Sequence, residues 1–348
     1  MISARFRAQL LTGPRNRSPE AVVERLLAVQ AQDPRGARLA VRSRSVGLRA
    51  ADVDEALTDR RSLVISWLNR GTLHLVRPED YWWLHPLTTP QIETSNRRRL
   101  HQEGVTDAQA ARGIDVVSDA VQSHGPQTRR ELRRRLDAAR VPTAGQALVH
   151  VLFAASLRGE IVRGPMHEGE HAFVAVSDWL GDPPEPLERS AALARLARRY
   201  LAGHGPADAR DLAKWAKLTL GDARAGLEGI RSELVDVSEG LVDLARRDRP
   251  AGMPRPRLLG PYDPLLCGWA SRGFVVGPHS VVTSNGLFRA CALVEGRVVG
   301  TWGVSAAKLT VTLLEKVNGP NVDALRKDAA DVLRFLGLTG RARVVIEA

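Results

Sequence analysis

Apolar positions fall at helical spacing along the chain up to about Arg255 and give way to strand-like runs beyond it. Near the start, SPEAVVERLLAVQ reads as a helix capped by Ser18 and started by Pro19. DPRGARLAVRSR restarts a helix, with Asp33 as N-cap and Pro34 in its first position. The stretch SLVISWLNRGTLHLVRPEDYWWLHPL reads as a short helix, a strand around Thr72 to Val76 and a helix from Pro78. After Arg255, the segments GFVVG, SVVTSNGLFRACALVEGRVVGTWGV, KLTVTLLE and RARVVIEA carry strand signals, with Asn285-Gly286 and Glu295-Gly296 at hairpin turns. The helix NVDALRKDAADVLRFLG interrupts them.

The clearest internal signal is a repeat. SHGPQTRRELRRRLDAA from Ser123 and GHGPADARDLAKWAKL from Gly203 share a small residue, then His-Gly-Pro, then an amphipathic helix. A helical segment precedes each, and a further helix and a short strand pair follow, EIVRGP with HAFVAV and LVDVS with LVDLARRD. Helix, turn, helix, helix and β-wing is the order of a winged helix. The pattern therefore gives modules at 111–182 and 187–254, joined through the linker GDPPEPLE. A further module is open at 1–110, and a β-rich domain fills 255–348, in an α+β chain.

Charge sharpens this picture. Net charge is +11, and only five of the 50 basic residues are lysine. Residues 1–50 hold ten arginines against Glu20, Glu24 and Asp33, so seven of the eleven net positive charges lie there. Clustered guanidinium groups suit phosphate oxygens and point towards nucleic acid, the alternative being a genome-wide arginine bias. No apolar run approaches about 18 residues and the N-terminus lacks a signal-peptide core, so a cytoplasmic, nucleoid-associated protein with no membrane partner is expected. Cys267 and Cys291 are too few for a disulfide framework and read as free thiols. A base-reading winged helix needs polar side chains on its third helix, but GQALVHVLFAASLRG is almost wholly apolar and reads as a packing surface.

Four segments carry candidate chemistry. In VQAQDPRGARLAVRSR, an extended link before Pro34 places Gln30 and Gln32 two apart, able to present two amides to one spot. The same polarity also suits an ordinary turn. Arg35, Arg38, Arg42 and Arg44 follow, as phosphate contacts or a solvated helix face. Arg70, Thr72 and His74 alternate along one strand, facing a channel or, for His74, the core. Tyr81, Trp82 and Trp83 spread around a helix and read as core. HEGEH at His167–His171 matches a zinc-protease pattern, but Gly169 and its strand-like flanks place it in a wing, so no metal and no cofactor is expected.

VQAQDPRGARLAVRSR, LNRGTLHLVRPEDYWWL and YDPLL with NGLFRACALVEGRVVGTW together resemble the AlkZ and YcaQ winged-helix DNA glycosylase family over nearly the whole chain. Gln at both Gln30 and Gln32 is similar to the Gln-x-Gln signature of its AlkZ-like branch. The resemblance implies three tandem winged helices plus a C-terminal β-domain around a DNA channel, and excision of bulky or N7-alkylated purines. Cross-link unhooking and self-resistance to a genotoxic natural product are implied with it. It makes Gln30 and Gln32 the catalytic pair and has the hairpin of Asn285, Gly286, Leu287, Phe288 and Arg289 press into the minor groove, the alternative being an ordinary two-strand turn. Asp33 is read as an N-cap, the alternative being a channel-facing carboxylate that adds negative potential. Alkylation at N7 makes the purine cationic, so it departs as a neutral base without a general acid. What remains is to position water and stabilise an oxocarbenium-like sugar, which amide oxygens can do. The expected partner is duplex DNA containing alkylated purines, acted on by a monomer. The competing readings are a non-catalytic winged-helix DNA-binding protein or transcriptional regulator, and a small-ligand sensor.

Overall fold

The computed structural model describes residues 2–14, 16–167, 169–238, 240–247, 252–284, 286–305, 308–338 and 343–347. They form a mixed α/β chain that divides into two units, Asp54–Ala192 and Met1–Val53 with Leu193–Ala348. The first cut falls within the segment 1–110 that the sequence grouped together.

In the unit Asp54–Ala192, strands Thr72–Val76, Val64–Leu68, Ile161–His167 and Glu170–Ala175 lie side by side in that order. Val64–Leu68 is a strand where a short helix was expected. All five of its residues are buried, and periodicity alone does not separate a continuous apolar strand from a buried helix. It pairs antiparallel with Thr72–Val76, Ser66 opposite His74, and Trp67 stacks on Phe153 with ring centroids 5.2 Å apart. Helices Pro78–Thr88, Pro90–Gln102, Asp107–His124, Arg129–Ala138 and Ala147–Leu157 are its longer helices. Tyr81 and Trp83 are buried and Trp82 half-buried, as the core reading expects. In HEGEH, His167 ends one strand, Gly169 turns at φ +83° and Glu170 starts the next, so the two histidines share no helix face. Glu168 lies outside the described residues.

In the other unit, five strands run in the order Arg343–Glu347, Lys308–Leu313, Arg297–Ser305, Cys291–Val294 and Arg257–Leu259. The first pair is parallel and the rest antiparallel. Glu295 and Gly296, at φ +48° and +76°, make the tight turn their sequence predicts. The helix Gly319–Phe335 packs Leu325, Ala329, Val332 and Phe335 into the core beneath this sheet. GFVVG corrects the strand expectation. Gly273–Val276 is one helical turn whose Val275 and Val276 amides bond the Arg272 carbonyl; the short apolar run carries no period that separates strand from helix.

The repeat is legible in three dimensions. Four residues past each repeated histidine stands an N-cap, Thr128 after His124 and Asp208 after His204. Each closes a capping box, with Glu131 and Asp211 respectively. One residue before each cap, the chain bridges the following hairpin, Gln127 to Phe173 and Ala207 to Val242. Turn, helix and hairpin are thus tied by equivalent bonds within each unit.

Candidate functional site

Gln30 closes the two-residue strand Val29–Gln30, and the chain then bends through Gln32 and Asp33. Gln30 is 8% exposed whereas Gln32 is exposed, so the alternation expected of a fully extended link is not kept. Asp33 caps the helix Pro34–Arg42, its Oδ1 accepting the Gly36 amide at 2.7 Å, with Pro34 supplying the missing-donor start.

That helix is clamped by the chain around Pro261. A methyl on Gly36 would lie 2.5 Å from the Pro261 carbonyl, and one on Gly260 would lie 2.7 Å from Leu39, so both glycines permit backbone contact that no larger residue allows. Arg44 fixes the same turn from beneath. It is fully buried and grips Asp263 through Nη1 at 2.9 Å and Nη2 at 2.7 Å, and it donates also to Gln9 and the Ala40 carbonyl. Asp263 in turn caps Pro264–Cys267 through the Leu265 amide. Arg42 reaches Asp328 at 2.7 Å and Asp331 at 2.9 Å. Burial opposes its charge but the two carboxylates outweigh it, raising its pKa.

These contacts correct the phosphate assignment of Arg42 and Arg44, whose guanidinium groups are spent inside the protein. Arg38 is also buried, its Nη1 donating to the Pro34 carbonyl at 2.8 Å, which leaves Arg35 as the exposed member of the set. His74 takes the core position, not the channel-facing one. It is 1% exposed, its Nδ1 donates to the Thr72 carbonyl at 2.8 Å, and burial, helped by Arg70, lowers its pKa to about 3. Arg70 and Thr72 are half-buried.

Sequence reasoning missed Tyr262. It sits in the clamped turn at φ +57°, a left-handed conformation unfavourable for an aromatic residue and held here by its anchored neighbours. Its ring lies 5.5 Å from Phe288. Burial, then Cys267 and Asp33, raise the pKa of its hydroxyl, so it stands within electrostatic reach of the Gln30–Asp33 segment. YDPLL carried the signal, a capping Asp followed by Pro, but nothing local marks the residue before them as strained.

Beyond Tyr262 the described residues fold back through a single bridge, not the strand pair expected around Asn285-Gly286. Val282 bridges Phe288, and the Thr283 amide bonds the Leu287 carbonyl at 2.9 Å. Gly286 turns at φ +74°, and Asn285 lies outside the described residues. Leu287 is 53% exposed and Arg289 exposed, while Phe288 is half-buried with Arg272 over its ring at 4.9 Å. The structure thus brings together the Gln30–Asp33 segment, Tyr262 and the hairpin base, and leaves His74, Arg42 and Arg44 to the core.

A model of the AlkZ-like DNA glycosylase family matches residues 23–335. An interstrand DNA cross-link repair glycosylase of Streptomyces sahachiroi is 28% identical over 96% of this chain and 95% of its own length. The solved structure of the DNA glycosylase AlkZ from the same organism superposes with a TM-score of 0.80 at 26% identity, covering 99% of this chain and 98% of the other.

Proposed function

The chain belongs to the AlkZ-like DNA glycosylase family, and we propose that its substrate is a bulky or N7-alkylated purine in duplex DNA, cross-linked purines included, released by hydrolysis of the N-glycosidic bond. Gln30 and Gln32 are the groups at the sugar. Their amide oxygens hold a water below C1′ and stabilise positive charge as the bond to the cationic purine breaks. Neither amide is a base strong enough to attack undamaged nucleosides, so leaving-group activation by the lesion sets specificity. Asp33 adds negative potential while its Oδ1 stays engaged as the helix cap.

The observation that carries this reading is the rigid seating of the Gln30–Asp33 segment. It runs directly into a helix whose cap and underside are fixed by Gly36, Gly260 and the buried Arg44–Asp263 pair. Preorganised dipoles cost no rearrangement as charge develops. Arg35 contacts a backbone phosphate. The hairpin at Gly286–Arg289 enters the minor groove through the exposed Leu287. The matched capping boxes and wing bridges support reading winged-helix modules at 111–182 and 187–254; with a first module at 1–110 and a C-terminal β-rich domain, they bind DNA as a monomer at the nucleoid. Cross-link unhooking rests on the relative's name.

The test is incubation with a duplex carrying one N7-alkylguanine, followed by alkali. Strand cleavage at the lesion and release of the free base are expected. A mobility shift without an abasic product would replace the hydrolase reading with that of a DNA-binding protein.

A further inference from the structure

The helix Arg129–Ala138 holds five arginines against Glu131 and Asp137. Leu132 and Leu136 turn inward and are buried, while Arg129, Arg130, Arg133 and Arg134 are exposed. Both acids have partners outside this face. Glu131 is taken by the capping box with Thr128, and Asp137 accepts the Thr143 hydroxyl at 2.6 Å. Arg129, Arg133 and Arg134 form no ion pair among the described residues. Arg129 and Arg130 also occupy the first turn, where positive charge opposes the helix dipole, so their placement does not serve the helix.

A further arginine, Arg163, adjoins them. Gln127 bridges Phe173, and Phe173 lies opposite Arg163 across the hairpin, so the three residues stand abreast just before Arg129. The Arg163 guanidinium lies over Trp67 at 5.0 Å and Phe173 at 4.8 Å, and its Nε is buried without an acceptor. It makes no hydrogen bond among the described residues. Burial, then the nearby charge of Arg129, lowers its pKa to about 10, with Glu170 offsetting only part of this. A cation seated on two aromatic rings, lacking an acceptor and crowded by a like charge, is a site that an anion would complete.

We infer that the arginine face of Arg129–Ala138, together with Arg163, is a docking surface for the phosphodiester backbone of duplex DNA. Guanidinium groups pair bidentately with phosphate oxygens, and one turn of exposed arginines is spaced to follow a strand of them. This extends the proposed function, on whose DNA substrate it rests. It also adds DNA contacts beyond those of the Arg35–Arg44 segment, where most guanidinium groups are spent internally.

The test is binding of undamaged duplex across a salt series, comparing wild type with two variants whose thermal midpoints are first matched to it. One carries Arg129→Gln, Arg133→Gln and Arg134→Gln. The other removes equal charge elsewhere, by Lys316→Gln, Arg326→Gln and Lys327→Gln. Each phosphate contact contributes about 0.9 to the slope of log affinity against log salt, so the first variant is expected to bind with a slope shallower by about 2.7. The control should keep the wild-type slope. An unchanged slope in the first variant, or an equal loss in both, overturns the docking surface. Salt-independent or absent duplex binding by wild type would instead overturn the DNA reading beneath it.

Discussion

At the scale of single residues, Asp33 and Arg44 mark opposite ends of what local sequence reveals. Asp-Pro followed by an amphipathic run identifies a helix start through contacts spanning three residues, and Asp33 caps as its neighbours predict. Arg44 shares its charge and segment with Arg35, yet its carboxylate partner is 219 residues distant, and the Arg42 partner Asp328 is 286 distant. No periodicity reports such pairings, so burial of these two arginines was illegible from sequence, as was the strain at Tyr262. Replacing Arg44 by Gln strands the buried Asp263 carboxylate, and urea unfolding should register a loss of about 3–5 kcal/mol. Because Arg44 touches no phosphate, the salt slope of DNA binding should stay at its wild-type value. A near-neutral stability change would contradict the structural role assigned to it.

At the scale of elements, capped and amphipathic helices were readable, and so was the hairpin turn at Glu295-Gly296. Val64–Leu68 and Gly273–Val276 were misread because short apolar runs carry no period, and their pairing partners decide the outcome. The strand Thr72–Val76 binds its histidine tightly enough to set an acid limit on stability. His74 keeps its neutral form down to about pH 3 in the folded chain, whereas the unfolded chain protonates it near pH 6.5. The contribution is therefore complete above pH 6.5 and is lost as pH falls towards 3, because the unfolded state takes up the proton first. His85, lowered by burial as well, acts in the same direction. The thermal midpoint is expected to drop from pH 7 to pH 4, and His74→Gln should flatten that dependence. A variant with the wild-type pH profile would show that His74 carries no such linkage.

At the scale of the whole molecule, composition and the doubled His-Gly-Pro repeat indicated a winged-helix arrangement with a β-rich end. They did not reveal that the first 53 residues belong with the chain from Leu193 onward. That association depends on contacts such as Gln9 Nε2 to the Gly203 carbonyl at 2.7 Å, and it frames the Gln30–Asp33 segment with residues from the far half of the sequence. The catalytic account places two neutral amides at the sugar and leaves activation to the lesion. Its most direct test is single-turnover excision of N7-methylguanine from duplex DNA by wild type and by a Gln30→Ala, Gln32→Ala variant, with duplex affinity measured in parallel. The account predicts excision lowered by at least about a hundredfold, the scale for losing preorganised transition-state dipoles, with undamaged-duplex affinity preserved. Excision at the wild-type rate by the double variant would contradict it.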